Sequence, residues 1–344
     1  MKTTTIGIDL AKNVFQLHGV DARGQTVIRR SLKRAQMRAY FAWLEPCLIG
    51  MEACGSAHYW ARELTALGHT VRLMAPQFVK PYVKSQKNDA ADAEAICEAV
   101  ARPNMRFVAV KTVDQQAVLA LHRARAGFVK ARTAQANQIR GLLGEFGLVV
   151  PQGVASLYRA LPGILEESDN GLPGPMRALL RRLLEHLKGL DLQVDELEAQ
   201  IVAWHRQNEA SLALAEIPGI GPLGASALVA SVGDVHSFAR GRQMAAWLGL
   251  VPRQHSSGGR SVLLGITKRG DSYLRMLLIH GARAVIRAFE RKANPPEGWL
   301  KRLLARRNKN VVAVALANKM ARIAWAVLAH GERFRPDYQA ASAA

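Results

Sequence analysis

The chain opens on short runs in which apolar and polar positions alternate. Residues 4–9 read TTIGID, residues 14–20 read VFQLHGV, and TVIRRSL follows the turn sequence DARGQ. β-Rich runs separated by turn residues predict a three-strand meander. The spacing then changes. Residues 35–44 (AQMRAYFAWL) read as a helix, and CLIGMEA as a short apolar strand with Glu52 at its end. Residues 56–67 (SAHYWARELTAL) read as a helix stopped by Gly68, and TVRLMAP as another strand. Pro76 and Pro81 break the chain, and KNDAADAEAICEAVA at 87–101 reads as a helix with alanine spacers. The order βββαβαβα defines an α/β region.

Helical spacing dominates from there on. Residues 114–146 form one long predicted helix carrying Arg123, Arg125, Lys130, Arg132 and Arg140. Residues 147–175 contain Pro151, Pro162, Pro173 and Pro175, which predicts a hinge or loop with at most short helices. Then Met176, Leu180, Leu183, Leu187, Leu190, Val194, Leu197, Ile201 and Trp204 recur at alternating steps of four and three, a heptad seam. Gly189 weakens that helix by roughly 1 kcal/mol relative to alanine. Such a seam packs against another helix, and self-association is the favoured use. From about residue 211 the chain reads as short helices and glycine-rich turns, then long basic helices, and the tail HGERFRPDYQAASAA reads as frayed.

Charge adds the first functional constraint. Lys and Arg number 47 against 27 Asp and Glu, a formal net charge of +20, which points to a polyanionic partner, nucleic acid first. The sequence shows no signal-peptide block, and we expect no run near the ~20 apolar residues that span a bilayer. Cys47, Cys54 and Cys97 have no metal-ligand or disulfide spacing, which fits core positions in a reducing cytoplasm.

Against that positive background, KNDAADAE packs three acids into six residues. Asp89 and Asp92 are three apart, so both leave one helix face, and the alanines let that face approach a sheet. Asp9 ends the first strand and Glu52 the fourth. Singly, each has a plain explanation: a turn residue, a strand-end charge, a helix cap. Jointly they match a ribonuclease-H-like arrangement, in which four carboxylates gather around two divalent cations for phosphoryl transfer. Hard cations take oxygen ligands, so the expected ion is Mg²⁺. Glu94 lies off that face and reads as solvated.

The second half offers cationic and glycine-rich elements. IPGIGPLG at 217–224 resembles a helix-hairpin-helix turn, in which backbone N–H groups near Gly219 and Gly221 meet a phosphate; an ordinary interhelical turn explains it about as well. In WLGLVPRQHSSGGRSVLLGITKRG (247–270), Ser256 and Ser257 lie among Arg253, His255 and Arg260. A flexible turn is the default for that loop; the alternative is a serine nucleophile helped by cations. Lys268, Arg269 and Arg275 stand at a helix start suited to phosphate contacts.

GIDLAK, MEACGSAHYW, KNDAADAEAI, IPGIGPLGASALVASVGD and LGLVPRQHSSGGRSVLLGITKRGDSYLRMLLIHGA resemble, in order and over nearly the whole chain, the DEDD-type insertion-sequence transposases of the IS one-ten and IS eleven-eleven family. The resemblance implies a RuvC-like catalytic domain over 1–150 that includes helix 114–146. It also implies a linker and coiled coil over 151–210, a mainly helical C-terminal transposase domain over 211–335, and a flexible tail at 336–344. It implies Mg²⁺ on Asp9, Glu52, Asp89 and Asp92, and a serine that forms a transient phosphoserine link to DNA. Ser257, directly before Gly258, matches best, with Ser256 adjacent. The partners implied are DNA (element ends and target), a structured guide RNA and a homo-oligomer, dimer or tetramer, in a bacterial cytoplasm at the nucleoid. Alternatives are a Holliday-junction resolvase that uses water on the same acids, and a non-enzymatic nucleic-acid-binding protein. A sugar kinase of the actin-like fold also opens on a GID strand, but no second phosphate-binding hairpin is found.

Overall fold

The computed structural model describes residues 2–84 and 88–335, so Lys87 of the acidic stretch and the tail beyond Arg335 lie outside it. Chain contacts separate two compact units. One gathers residues up to 113 together with 232–237; the other gathers 114–231 and the chain from 238 onward.

The first unit is built on β1 (Thr5–Asp9), β2 (Val14–Val20) and β3 (Thr26–Lys33). Next come α1 (Met37–Ala42), β4 (Leu48–Glu52), α2 (Ala57–Ala66), β5 (Thr70–Met74), α3 (Pro76–Val79), α4 (Asp89–Val100) and β6 (Phe107–Val108). The sheet order is β3-β2-β1-β4-β5-β6. β1 pairs antiparallel with β2 and parallel with β4, and β4 pairs parallel with β5. This mixed sheet fits the RNase-H-like domain expected. β6 was not anticipated, because two residues pairing with Leu73 and Met74 carry no periodicity.

Each face of the sheet has its own apolar layer. Ile6, Ile8, Phe15, Ile49 and Met51 pack with Phe41, Trp60 and Leu64 of the helices on one side. The opposite side lies under α4, where Ile96, Ala99 and Val100 join Met74 and Val79. α4 crosses the sheet at two glycines. A Cβ on Gly7 would stand 2.2 Å from the Ala93 carbonyl oxygen and 2.3 Å from the Cys97 nitrogen; one on Gly50 would stand 2.7 Å from the Val100 side chain. Only glycine allows so close an approach. We expect Gly7→Ala to lift α4 and lower the unfolding free energy by about 3 kcal/mol or more, the upper end of overpacking costs, as read by urea denaturation.

The second unit is helical apart from one hairpin. α5 (Val113–Gly144) is followed by α6 (Val154–Glu166) and α7 (Gly174–Arg206). α5 and α7 run antiparallel, as their cross-links show. Trp204 donates to Asp114 (2.9 Å), Arg125 pairs with Glu198 (2.7 Å) and Arg132 with Asp191 (2.7 Å), while the Gln135 amide oxygen meets His186 (2.7 Å). Leu180, Leu187, Leu190, Val194 and Ile201 of the heptad seam are buried within one chain. α6 overturns the loop expected around Pro162, which sits inside a 13-residue helix. Leu157, Leu161 and Leu165 form a fully apolar face against α5 and α7, and their burial outweighs the backbone bond that proline cannot make.

The remaining elements are α8 (Glu209–Ala215), α9 (Pro222–Val232), α10 (Gly241–Trp247), β7 (Pro252–Ser257), β8 (Arg260–Ile266), α11 (Ser272–Glu290), α12 (Trp299–Leu304) and α13 (Lys309–His330). α13 is a correction to the sequence reading. Its 22 residues are long and apolar enough, by length and composition, to cross a membrane. One side of it, including Val312, Ala317, Met320 and Ala324, is buried in the protein, and it packs on α10 and α11.

Candidate active site

The carboxylates follow from the strand register. Ile8 of β1 lies opposite Met51 of β4 in a parallel pair, so the next residues, Asp9 and Glu52, end adjacent strands side by side. Strand spacing is about 4.8 Å. Side chains alternate faces, so Asp9 shares a face with Gly7, and Glu52 with Gly50. That is the face α4 covers. The Cys97 thiol reaches the Thr5 carbonyl (3.7 Å), while the Ala93 carbonyl stands over Gly7. Moving along β1 toward Asp9 therefore means moving along α4 toward its start. Asp9 lies about 6.6 Å beyond Gly7 at strand rise. Asp89 lies about 6 Å before Ala93 at helix rise, in the same row. Asp92 belongs to the row of Ile96 and Val100, the latter over Gly50.

α4 starts here because Asn88 caps it, its side chain accepting from the Ala91 amide (2.8 Å). The cap role considered for Asp89 therefore belongs to Asn88. Asp89 and Asp92 sit in the first turn, where the helix dipole favours negative charge. Glu94 leaves on another face and pairs with Lys84 (3.4 Å) and Arg29 (4.0 Å). Cys54 is exposed, not the core position expected for it; partial desolvation, and then the charges of Glu52 and Asp9, push its thiol up, so the two strand-end acids share one electrostatic neighbourhood. Ser56, which begins α2 just beyond, holds a left-handed backbone (φ 67°) and accepts from Arg34 (3.4 Å).

Among the described residues, no three or more His, Cys, Asp or Glu side chains converge closely enough to hold an ion. Carboxylates that close repel one another without a cation between them. Asp and Glu offer oxygen donors, the kind a hard divalent cation takes.

The serine loop is a hairpin, which the sequence reading took for a flexible turn. β7 and β8 pair antiparallel with Ser257 opposite Arg260, Ser256 opposite Ser261 and His255 opposite Val262. Gly258 and Gly259 both have positive φ (55° and 77°), the requirement of a tight two-residue hairpin turn. Pairing sorts the serines. Ser257 shares a face with Arg260 and His255, while the Ser256 hydroxyl accepts from Gln254 on the other face (2.8 Å). Both strands are exposed, and Leu263 is 64% exposed.

The other expected cationic contacts divide. Arg123 and Lys130 are exposed on α5, whereas Arg125 and Arg132 are drawn into ion pairs with α7. Arg140 donates to the Val150 carbonyl (3.2 Å). Arg253, Arg260, Lys268 and Arg269 are exposed around the hairpin, while Arg275 donates to the Leu248 and Arg269 carbonyls (3.1 and 3.3 Å). Gly219 packs on Gly281 of α11, and Gly221 is exposed.

One group escaped the sequence reading. His122 is buried, with Nε2 3.0 Å from the Ser226 hydroxyl and Nδ1 3.0 Å from the Tyr273 hydroxyl. Ser226 donates its proton to the Pro222 carbonyl (2.7 Å), so Nε2–H donates to Ser226 and Nδ1 accepts from Tyr273. The network joins α5, α9 and the start of α11, just after Lys268 and Arg269. The only sequence signal is a lone histidine on the apolar side of a basic helix. Burial, then Arg125, lowers its pKa to about 4. The unfolded chain takes up a proton near pH 6.5 that the fold refuses. Stability is therefore present above 6.5 and lost as pH falls toward 4. Between pH 7 and 4.5 we expect His122 to remove about 2–3 kcal/mol in wild type. His122→Gln should flatten that part of the urea-denaturation profile.

The mixed sheet with acids ending β1 and β4 is that of an RNase-H-like domain. Residues 6–147 match the DEDD transposase family of IS110, and residues 211–295 match the transposase IS116/IS110/IS902 family. The chain is 57% identical over 337 residues to a probable family 20 transposase of Pseudomonas aeruginosa, covering 98% of this chain and 100% of that one. It is 48% identical over 330 residues to the transposase for insertion sequence element IS1111A of Coxiella burnetii (96% and 91% covered). It is 45% identical over 331 residues to the transposase for IS1328 of Yersinia enterocolitica (96% and 98%). The chain belongs to the IS116/IS110/IS902 family of transposases, enzymes that act on DNA.

Proposed function

We propose that this transposase cuts and rejoins DNA through a phosphoserine intermediate on Ser257, at a site completed by Asp9, Glu52, Asp89 and Asp92. The observation that carries the reading is the placement of α4 over Gly7 and Gly50, which aims its two-acid end at the paired acids of β1 and β4. Two Mg²⁺ ions on these carboxylates would supply positive charge to the attacking and leaving oxygens. Ser257 Oγ attacks the phosphorus. The Oγ–P bond forms as the bond to the departing sugar oxygen breaks, the serine proton is lost and the sugar oxygen gains one. A hydroxyl from another strand then attacks the same phosphorus; its O–P bond forms as the Oγ–P bond breaks, the hydroxyl loses its proton and the serine oxygen regains one. Arg260, opposite Ser257, and His255, on the same face, place cationic or proton-accepting groups beside the hydroxyl.

The hairpin leaves Val262, Leu263 and Leu264 exposed and pairs with no other strand among the described residues, and a two-stranded hairpin is marginal alone. This supports a hairpin covered on assembly, with the serine of one subunit meeting the acids of another in a dimer or tetramer. α7, within 151–210, would serve as the coiled-coil insert with α5 as its partner helix, and exposed Arg123 and Lys130 offer phosphate contacts to a guide RNA. The test is to incubate protein, element-end DNA and Mg²⁺, with and without a transcript of the element's noncoding end, and run denaturing gels. A protein-linked DNA strand that depends on Mg²⁺ and transcript is expected. Cleaved DNA with no protein attached would replace serine by water and give the resolvase chemistry.

A further inference from the structure

One arginine ties together the turns that follow the two acid-bearing strands. β1, β4 and β3 all end at the same edge of the sheet, since β1 and β4 are parallel and Lys33, the last residue of β3, lies opposite Val14 at the start of β2. Arg34 follows directly. Its Nε donates to the carbonyl of Lys12, three residues beyond Asp9 (3.0 Å), and its Nη2 to the hydroxyl of Ser56, four residues beyond Glu52 (3.4 Å). The guanidinium also sits 5.4 Å from the centre of the Phe15 ring and 5.6 Å from that of Trp60. Stacking and hydrogen bonds together hold it in one pose. Ser56 contributes from a left-handed backbone (φ 67°), and its hydroxyl turns to Arg34 instead of capping α2, the usual use of a serine there.

The guanidinium is not neutralised within the fold. Among the described residues no carboxylate pairs with it and its Nη1 has no hydrogen-bond partner, and Arg34 and Lys12 are both exposed. A fixed fork with one open edge suits a phosphate, because the freedom that a mobile side chain loses on binding is already lost. The location names the source of that phosphate. With Asp9 and Glu52 as the cutting site, DNA must run over this sheet edge, where carboxylates repel its backbone and a cation offsets them. Phe15 packs with Ile6 and Ile8, so Arg34 reaches the edge from the side of α2, whereas Asp9 and Glu52 face α4. The contact is therefore with a neighbouring phosphate and not the scissile one. Three residues of chain separate Asp9 from Lys12, at most about 11 Å. That span equals about three nucleotides at a rise of about 3.4 Å.

We propose that Arg34 grips the DNA backbone within about three nucleotides of the cut and sets the strand's register on the acids. The proposal rests on those acids being the cutting site, so binding is read in EDTA, apart from cleavage. The full-length protein is titrated with element-end duplex at several salt concentrations. Arg34→Met keeps an unbranched side chain over Phe15 and Trp60. It should weaken binding about tenfold and make the slope of log affinity against log salt shallower by about 0.9, the share of one phosphate. Should Arg34→Met unfold, Arg34→Gln, which keeps an amide donor, serves the same comparison. Arg34→Lys should keep the wild-type slope, although it cannot reproduce the fork. A second set of duplexes carries a single uncharged methylphosphonate at successive positions. One replacement within about three nucleotides of the cut should weaken wild type about tenfold and Arg34→Met no further. A wild-type slope in Arg34→Met, the same loss of slope in Arg34→Lys as in Arg34→Met, or methylphosphonate effects that add to the substitution at every position would each overturn the proposal. The second of these outcomes would make Arg34 a brace between the two turns and nothing more. Cleavage by Asp9→Asn would instead remove the acids from the site and leave these slopes as measured.

Discussion

Asp9→Asn is expected to abolish Mg²⁺-dependent cleavage of element-end DNA, by about three orders of magnitude or more. Losses of that size follow when a group that stabilises developing charge is removed. Asparagine keeps the shape of the side chain at the end of β1 and removes its charge. Added Mg²⁺ should raise the stability of wild type more than that of the variant, because an ion held only by the folded state stabilises it by mass action. Asp92→Asn should behave alike. Cleavage at wild-type rate in either variant would remove that residue from the site.

Ser257→Ala is expected to eliminate protein-linked DNA, a loss of about a thousandfold or more, with DNA affinity kept within a few-fold. The hydroxyl is exposed at the end of β7. Ser256→Ala should retain the covalent product, since that hydroxyl accepts from Gln254 on the opposite face of the hairpin. The reverse outcome, capture by Ser257→Ala and none by Ser256→Ala, would assign the chemistry to Ser256 and leave Arg260 on the wrong side of it.

The first unit was largely legible because its elements are half-buried. Alternation in VFQLHGV and the apolar run of CLIGMEA reflect faces that pack, and the acids stood at the ends those runs predicted. The alanines of α4 were legible for the same reason, since they admit the helix to the sheet. The β7–β8 hairpin was not. Its strands bury neither face, so PRQHSS carries no period-two signal, and only Gly258–Gly259 marks the turn. α6 was hidden by Pro162, because local propensity speaks before tertiary contacts are known. Arg125 and Arg132 read as surface cations because their partners, Glu198 and Asp191, lie 73 and 59 residues away. A sequence displays a charge but not what neutralises it. His122 was missed similarly: its hydroxyl partners come from helices more than a hundred residues downstream.

The contact of α4 with Gly7 and Gly50 has a consequence for how this protein can drift in sequence. Where two elements meet through side chains, a neighbour can change rotamer and absorb a small error. At Gly7 main chain rests on main chain, and no rotamer is left to adjust. The span between the helix acids and the strand acids is thus gauged by the thickness of the polypeptide itself. Laboratory evolution can rebuild much of the surrounding core, but a tolerated substitution at Gly7 should appear only together with one that reseats the whole helix.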